Sequence, residues 1–317
     1  MLREPLNAQH QRGAVALIFA LLYVAIIASF VATISYNIAL DIRRTQSLLQ
    51  QEQARHVALG AEDWIASVLR DDLSASATDH PAELWAQPLP PLPIEGSGGA
   101  GFITGQIVDL QSRFNLNNLI DANNEVVQEE MERFQLLLEL LGIDIQLAEA
   151  VVDWMDVDSD VRFPGGAEED TYAARVPALR TANMPFRSAA EIAVVEGFTT
   201  EMVTALLPHI TALPERTGIN ANTAGAVVLT SLDRNLTQAD AERLVALSQE
   251  QGGLELQVDF AGLLPEPVIG TLVEQTSYFQ ITSVVRIGSV RFAMYSLLYR
   301  DPQGQTAVLL RSFGNPF

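Results

Sequence analysis

The sequence predicts an α+β fold: a long N-terminal transmembrane and stalk helix, followed by an antiparallel β head that is interrupted by a large all-α insertion. The first supporting observation is an apolar run from Gly13 to Leu40 that contains no charged residue. The second is strand-like alternation of apolar and polar residues near the C-terminus, after residue 277. The third is a helical pattern over 121–214, which lies between strand-like segments and is therefore typical of an insertion.

The apolar run predicts a membrane-spanning helix, because it exceeds the roughly 20 residues that cross a bilayer. The helical pattern continues with one apolar stripe to about Arg70, so we expect a single helix over 14–70, about 85 Å long at about 1.5 Å per residue. A secretory signal peptide is the alternative, but its apolar core is normally about 7–15 residues long. Arginines flank the run on both sides, so charge alone does not predict its orientation.

The head is predicted from two separate parts of the sequence. Prolines and glycines over 81–101 end the helix, and a strand follows from Gly101. Three further strands are expected at Tyr278–Ile287, Val290–Arg300 and Thr306–Phe313, with turns at 288–289 and 301–304. We therefore assign 71–120 and 215–317 to the head and 121–214 to the inserted helical domain.

The insertion contains an internal repeat, in which LLGIDIQLAEAVVDWMD aligns with VEGFTTEMVTALLPHI so that Gly142 matches Gly197. Each unit predicts two helices joined by a glycine turn, a pattern that resembles helix-hairpin-helix or SAM-like domains, many of which contact DNA phosphates. Two hairpins that pack together as a scaffold are the alternative. No arginine occurs between Ser188 and Ala212, and the first unit is acidic, so charge favours the scaffold and argues against nucleic acid.

Composition excludes several kinds of chemistry. The formal net charge is −20 and the pI about 4.4, which disfavours a phosphate backbone as partner. The chain contains no cysteine and no lysine, which excludes disulfides, thiolate metal sites and Schiff-base catalysis. Its four histidines have no metal-ligand spacing, and no GxSxG motif occurs. We therefore expect a protein that is not an enzyme.

The most acidic stretch, DWMDVDSDVRFPGGAEEDTY, holds seven carboxylates and one arginine over 153–172. Asp156, Asp158 and Asp160 are spaced two residues apart. A second group of carboxylates follows the turn at Pro164-Gly165-Gly166. Calcium takes 6–8 oxygen ligands, most of which such a loop can supply, whereas magnesium prefers fewer carboxylates and keeps its waters. The stretch predicts a structural calcium site; a solvated acidic loop and a paired-carboxylate hydrolase are the alternatives.

Together these segments resemble the K-type minor pseudopilins of bacterial type II secretion, the GspK family. The resemblance extends over nearly the whole chain and rests on the order of its motifs. They are QRGAVAL, SYNIALDIRRTQSLLQQEQARHVALGAEDW, FNLNNL, the acidic stretch, TANMPF and INANTA.

The resemblance implies that residues 1–13 form a leader that prepilin peptidase removes between Gly13 and Ala14, after which Ala14 is N-methylated. It also implies a pilin-like head and one or two structural calcium ions near the acidic loop. The calcium ligands carried over are Asp156, Asp158, Asp160, Glu168, Glu169 and Asp170.

The resemblance further implies a single-pass inner-membrane protein with a periplasmic C-terminal head, at the tip of the pseudopilus. The implied partners are the I-, J- and H-type minor pseudopilins, the major pseudopilin, prepilin peptidase and the inner-membrane assembly platform. Most pilin-like proteins have a glutamate where this chain has Ile18, and the K-type family shares its absence. A membrane-anchored DNA-binding protein of an uptake machinery is the alternative function.

Overall fold

The computed structural model describes the backbone of residues 6–88, 90–94 and 101–314, and within those ranges the side chains from Val15 onward. A five-stranded antiparallel sheet packs against one end of a long helix, and smaller helices form two further lobes. The strands are β1 (Leu92–Ile94), β2 (Gly101–Asp109), β3 (Phe114–Asn115), β4 (Ile210–Thr211), β5 (Ile219–Asn220), β6 (Leu272–Val273), β7 (Tyr278–Ile287), β8 (Val290–Arg300) and β9 (Thr306–Phe313). The helices are α1 (Leu6–Ala75), α2 (Gln128–Leu140), α3 (Leu147–Met155), α4 (Glu169–Ala173), α5 (Thr200–Leu206), α6 (Ala226–Thr230), α7 (Gln238–Gln251), α8 (Leu256–Asp259) and α9 (Glu266–Ile269).

Helix α1 confirms the predicted long N-terminal helix and extends it at both ends, to Leu6 and Ala75. From Val15 to Leu49 its side chains are exposed, apart from the half-buried Leu40. Its most apolar 18-residue window has a mean hydropathy of 2.8, and none of that window is buried. By length and composition, this part of α1 can cross a membrane.

The second half of α1 packs on the sheet through one stripe at helical spacing. Ala54, Ala58, Ile65 and Leu69 are buried against β7 and β8. Glu62 lies in the same stripe, and its carboxylate accepts hydrogen bonds from Ser296 Oγ and, at 2.7 Å, from Arg311 Nη2. The stripe therefore joins α1 to β7 and β8 by apolar contact, and to β8 and β9 through Glu62.

The sheet order is β1-β2-β7-β8-β9, and every neighbouring pair is antiparallel. The predicted strand from Gly101 and the three predicted C-terminal strands are confirmed, the latter with the expected boundaries. Gly288 has φ +56° in the two-residue turn between β7 and β8, a conformation that favours glycine.

The insertion between β2 and β7 consists of two lobes, each closed where its ends meet. β3 pairs with β4 in parallel and closes lobe one, residues 114–211; β5 pairs with β6 in parallel and closes lobe two, residues 219–273. Each lobe has its own buried apolar cluster. The predicted boundary at 214 therefore marks the end of lobe one only, because α6 to α9 continue the helical part of the chain to Ile269.

Buried asparagines of the FNLNNL motif hold the linker between the lobes. Asn115 Nδ2 donates to Glu215 O at 2.8 Å, and Asn117 Nδ2 donates to Leu213 O at 2.8 Å. Asn118 Nδ2 donates to Thr217 O at 2.8 Å. Because amide side chains both donate and accept, they pair backbone groups that no regular element satisfies.

The INANTA motif attaches lobe two to the head in a similar way. Asn220 Nδ2 donates to Asp109 Oδ2 at 2.9 Å, which joins lobe two to the end of β2. Asn222 Oδ1 accepts from Leu254 N at 2.7 Å, within lobe two.

The internal repeat is present in lobe one as two helical segments, each with a glycine turn. Gly142 (φ +69°) separates α2 from α3, and Gly197 (φ +87°) precedes α5. A Cβ at Gly197 would lie 2.4 Å from Leu147 Cδ2, so the second turn packs directly on the first unit. This contact and the shared core favour the scaffold interpretation of the repeat.

Candidate metal centre

The acidic stretch forms a loop that leaves α3 at Met155 and returns at Glu168, immediately before α4. Gly166 brings the two ends of the loop together, since a Cβ there would lie 2.2 Å from Asp153 Oδ2. Its N–H donates to Arg162 O at 2.8 Å. A residue with a side chain at 166 would therefore push the returning segment away from α3.

Three of the six predicted ligands meet in this loop. One carboxylate oxygen from each of Asp156, Asp158 and Glu168 lies within 4.8 Å of those of the other two. Asp156 is 2 % exposed and Glu168 is 3 % exposed, whereas Asp158 is at the surface. Two buried carboxylates therefore lie beside one that is exposed to solvent.

The buried carboxylate oxygens lack hydrogen-bond donors. Asp156 Oδ1 and both oxygens of Glu168 are buried without a hydrogen-bond partner. The arginine of the loop gives these oxygens no hydrogen bond, since Arg162 Nε donates to Glu149 Oε2 at 3.2 Å. Leaving buried carboxylates unpaired is costly, and a bound cation removes that cost.

The pKa values of the clustered carboxylates agree with their burial and close spacing. Burial, together with the charges of Asp158 and Asp153, raises the pKa of Asp156 to about 6. Burial and the charges of Asp153 and Asp156 raise the pKa of Glu168 to about 7. The fold therefore holds these groups together against their mutual repulsion.

Two residues outside the predicted set contribute oxygens nearby. Asp153 is fully buried with Oδ1 unpaired, and burial raises its pKa to about 6. Asn183 adopts φ 45°, its N–H donates to Trp154 O at 3.1 Å, and its own Oδ1 is buried and unpaired. Asp153 opens the acidic stretch and so had a sequence signal; Asn183 had none beyond its place in TANMPF.

The remaining predicted ligands lie outside this cluster. Asp160 is exposed, and its N–H donates to Asp158 Oδ1 at 2.9 Å. Glu169 Oε1 is 3.6 Å from Arg180 Nε at the surface, and Asp170 is also exposed. Glu169 and Asp170 point away from the cluster because α4 begins at Glu169, and each residue of a helix is turned about 100° from the one before it.

Without metal, the protein is expected to lose stability as the pH rises. A carboxyl whose pKa is raised by folding binds its proton more tightly in the folded chain, so its contribution is present below about pH 4 and lost through about pH 6–7. We expect the melting temperature of the metal-free chain to fall between pH 5 and pH 7.5, measured by calorimetry. The Asp156→Asn, Glu168→Gln double variant should show a shallower fall; the same slope as the wild type would contradict the assignment.

The processing residues lie near the start of the structure. Gly13 and Ala14 fall within α1, and the side chain of Ala14 lies outside the described residues.

Comparisons with known proteins match both lobes and nearly the whole chain. Two family models, each described as type II secretion system (T2SS) protein K, match residues 112–215 and 219–279, so their boundary falls in the linker between the lobes. Type II secretion system protein K of Pectobacterium carotovorum subsp. carotovorum is 33% identical over 326 residues, covering 96% of this chain and 97% of the relative. This chain belongs to the type II secretion system protein K family.

A further protein K, from Pseudomonas aeruginosa, is 31% identical over 319 residues and covers 96% of this chain and 93% of the relative. The same fold is found in a solved structure. In the crystal structure of the GspK-GspI-GspJ complex from the enterotoxigenic Escherichia coli type 2 secretion system, one chain matches with a TM-score of 0.70 and 24% identity. The match covers 86% of this chain and 99% of that chain.

Proposed function

We propose that this family member is a minor pseudopilin that stands at the tip of the type II secretion pseudopilus and begins its assembly. The observation that supports this most directly is the lower half of α1, which is apolar and projects beyond the head with exposed side chains. Such a helix is an anchor in the bilayer, and once it leaves the lipid it has to pack against other helices. The chain that shares the fold comes from a crystal structure of a GspK-GspI-GspJ complex.

The proposal assigns partners and a location. I-, J- and H-type minor pseudopilins and the major pseudopilin pack against the exposed part of α1. Prepilin peptidase removes the leader, and the inner-membrane assembly platform receives the anchored chain. The head lies in the periplasm, and the protein has neither enzymatic activity nor a nucleic-acid partner.

Ile18 supports a place at the tip. A carboxylate within lipid is expensive unless it has a partner, and in pilins the partner is the N-terminal amine of a neighbouring subunit. Ile18 cannot make that contact with a subunit ahead of it. A subunit at the tip has no subunit ahead of it, so it loses no contact when the glutamate is absent.

We also propose that the acidic loop binds calcium as a structural ion. Asp156, Asp158 and Glu168 would hold it, with Asp153 and Asn183 as the nearby oxygen donors. Calcium supplies the positive charge that the buried carboxylates lack and ties the end of α3 to the start of α4. Hard oxygen donors with several carboxylates suit calcium better than magnesium.

Processing tests the proposed function. We expect the wild-type chain, isolated from a strain with active prepilin peptidase, to begin at Ala14 with a methylated amine, as intact-mass measurement would show. Gly13→Val should block the cut completely, because the peptidase must accept the residue before the scissile bond. Gly60→Val is the matched control, since nothing lies within 4 Å of a Cβ at Gly60. A wild-type chain that retains residues 1–13 would overturn the proposal.

A further inference from the structure

A second carboxylate cluster lies at the junction of α1, the sheet and lobe two, far along the chain from the acidic loop. One carboxylate oxygen from each of Asp72, Asp79 and Glu83 lies within 4.8 Å of those of the other two. Asp72 is in the last turn of α1, and the other two are in the loop that follows it. Asp79 is 1 % exposed, and the side chain of Glu83 is 8 % exposed.

The cations that face this cluster do not neutralise it. Arg300 of β8 is directed mainly at Asp79, where Nη2 donates to Oδ1 at 2.6 Å, while its Nη1 is 3.4 Å from Asp72 Oδ2. Glu83 has no arginine beside it among the described ion pairs, and His80 Nε2 is 3.6 Å from its Oε1. One guanidinium therefore faces three carboxylates.

One buried oxygen of Glu83, a member of this cluster, is unsatisfied. Its Oε2 accepts from Trp85 Nε1 at 2.8 Å and from His80 N at 3.0 Å, but its Oε1 is buried without a hydrogen-bond donor. Burial and the charges of Glu83 and Asp79 raise the pKa of Asp72 to about 6 although Arg300 lies beside it. An unpaired, buried carboxylate oxygen is expensive unless a cation lies against it.

We propose that Asp72, Asp79 and Glu83 form a second divalent-cation site, with the oxygen-only donor set that calcium prefers. Carboxylate oxygens have more than one lone pair, so Asp79 can accept from Arg300 and still bind an ion. The inference is independent of the proposed function and of the ion in the acidic loop.

An ion at this position would fix three parts of the molecule to one another. Asp79 Oδ2 accepts from Thr276 N at 2.7 Å, which joins the cluster to the segment before β7. Its carbonyl oxygen accepts from Asn220 Nδ2 at 3.1 Å, which joins it to lobe two. Asp72 joins the same point to the end of α1. The second ion would thus set the orientation of lobe two relative to the stalk helix.

Terbium luminescence tests this site, because Trp85 donates its indole N–H to Glu83 and would transfer excitation to a bound lanthanide. The full-length chain in detergent would carry Asp156→Asn and Glu168→Gln, which remove the acidic-loop carboxylates near Trp154. We expect terbium emission on tryptophan excitation, and its loss on addition of excess calcium. Trp85→Phe should remove most of the emission, because Trp85 is the indole that contacts Glu83.

Two further variants make the outcome decisive. Glu83→Gln, which keeps an acceptor for Trp85, and Asp72→Asn should each raise the half-saturating terbium concentration by about tenfold or more. The adjacent, exposed Asp71→Asn is the charge-matched control and should change it less than about twofold. Circular dichroism would show that each variant is folded. A folded protein with no emission, or equal binding in all three variants, would overturn the proposal.

Discussion

Chelation of calcium is expected to lower the melting temperature of the full-length protein, and Asp156→Asn with Glu168→Gln is expected to abolish that response. Both side chains are buried, with oxygens that receive no hydrogen bond. A ligand at about a hundred times its dissociation constant stabilises the folded state by about 2.7 kcal/mol. At about 2–4 °C per kcal/mol, calorimetry should detect a shift of about 5–10 °C in the wild type.

The metal-free state gives a sharper test of the same two residues. Without calcium, the double variant should melt above the wild type, because two amides replace two carboxylates that repel Asp153 and Asp158. A substitution that merely damaged the loop would instead lower stability under both conditions. Asp170→Asn is the matched control, because Asp170 is exposed and lies outside the cluster, and it should retain the full calcium response. If chelation leaves the wild-type melting curve unchanged, no structural ion is present.

Strong local patterns in the sequence predicted the frame of the fold. Alternation of apolar and polar residues located β7, β8 and β9 because each strand has one face against α1 or a lobe, and glycine turns fix their ends. The uninterrupted apolar run located α1 for a similar reason. The structure of each of these elements is determined mainly by residues that are close together in sequence.

Lobe two was missed because most of its elements are short, although α7 spans 14 residues. α8 and α9 span four residues each, less than is needed to display helical periodicity, and β5 and β6 span two. Some of the predicted calcium ligands lie outside the carboxylate cluster for a different reason. Glu168, Glu169 and Asp170 are equivalent in composition, and only the start of α4 directs Glu168 inward and the other two outward. Contacts between residues far apart in sequence, such as Arg300 with Asp79, leave no local pattern at all.

Replacing the buried Arg300 with methionine is expected to destabilise the protein far more than the loss of an exposed arginine. Arg300 is 2 % exposed, and its guanidinium donates to Asp79 Oδ1 at 2.6 Å, Leu69 O at 3.0 Å and Thr276 O at 3.0 Å. It thereby joins β8 to α1 and to the start of β7. Methionine fills similar space but leaves Asp79 buried without its charged partner, which costs about 3–5 kcal/mol. We expect a fall of about 10 °C in melting temperature.

A comparison with Arg243 separates the effect of burial on the melting temperature from the effect of losing a positive charge. Arg243→Met removes the same charge from an exposed pair, since Arg243 is 67% exposed and its Nη2 is 2.8 Å from Asp240. Exposed pairs contribute about 0–1 kcal/mol, so this control should melt within about 2 °C of the wild type. Arg300→Lys should fall between the two, because a single ammonium cannot reach Asp79 and both carbonyl oxygens with the planar geometry of a guanidinium. Equal melting temperatures for Arg300→Met and Arg243→Met would show that the junction does not depend on this arginine, and that the packing of Ile65 and Leu69 on the sheet alone holds α1 in place.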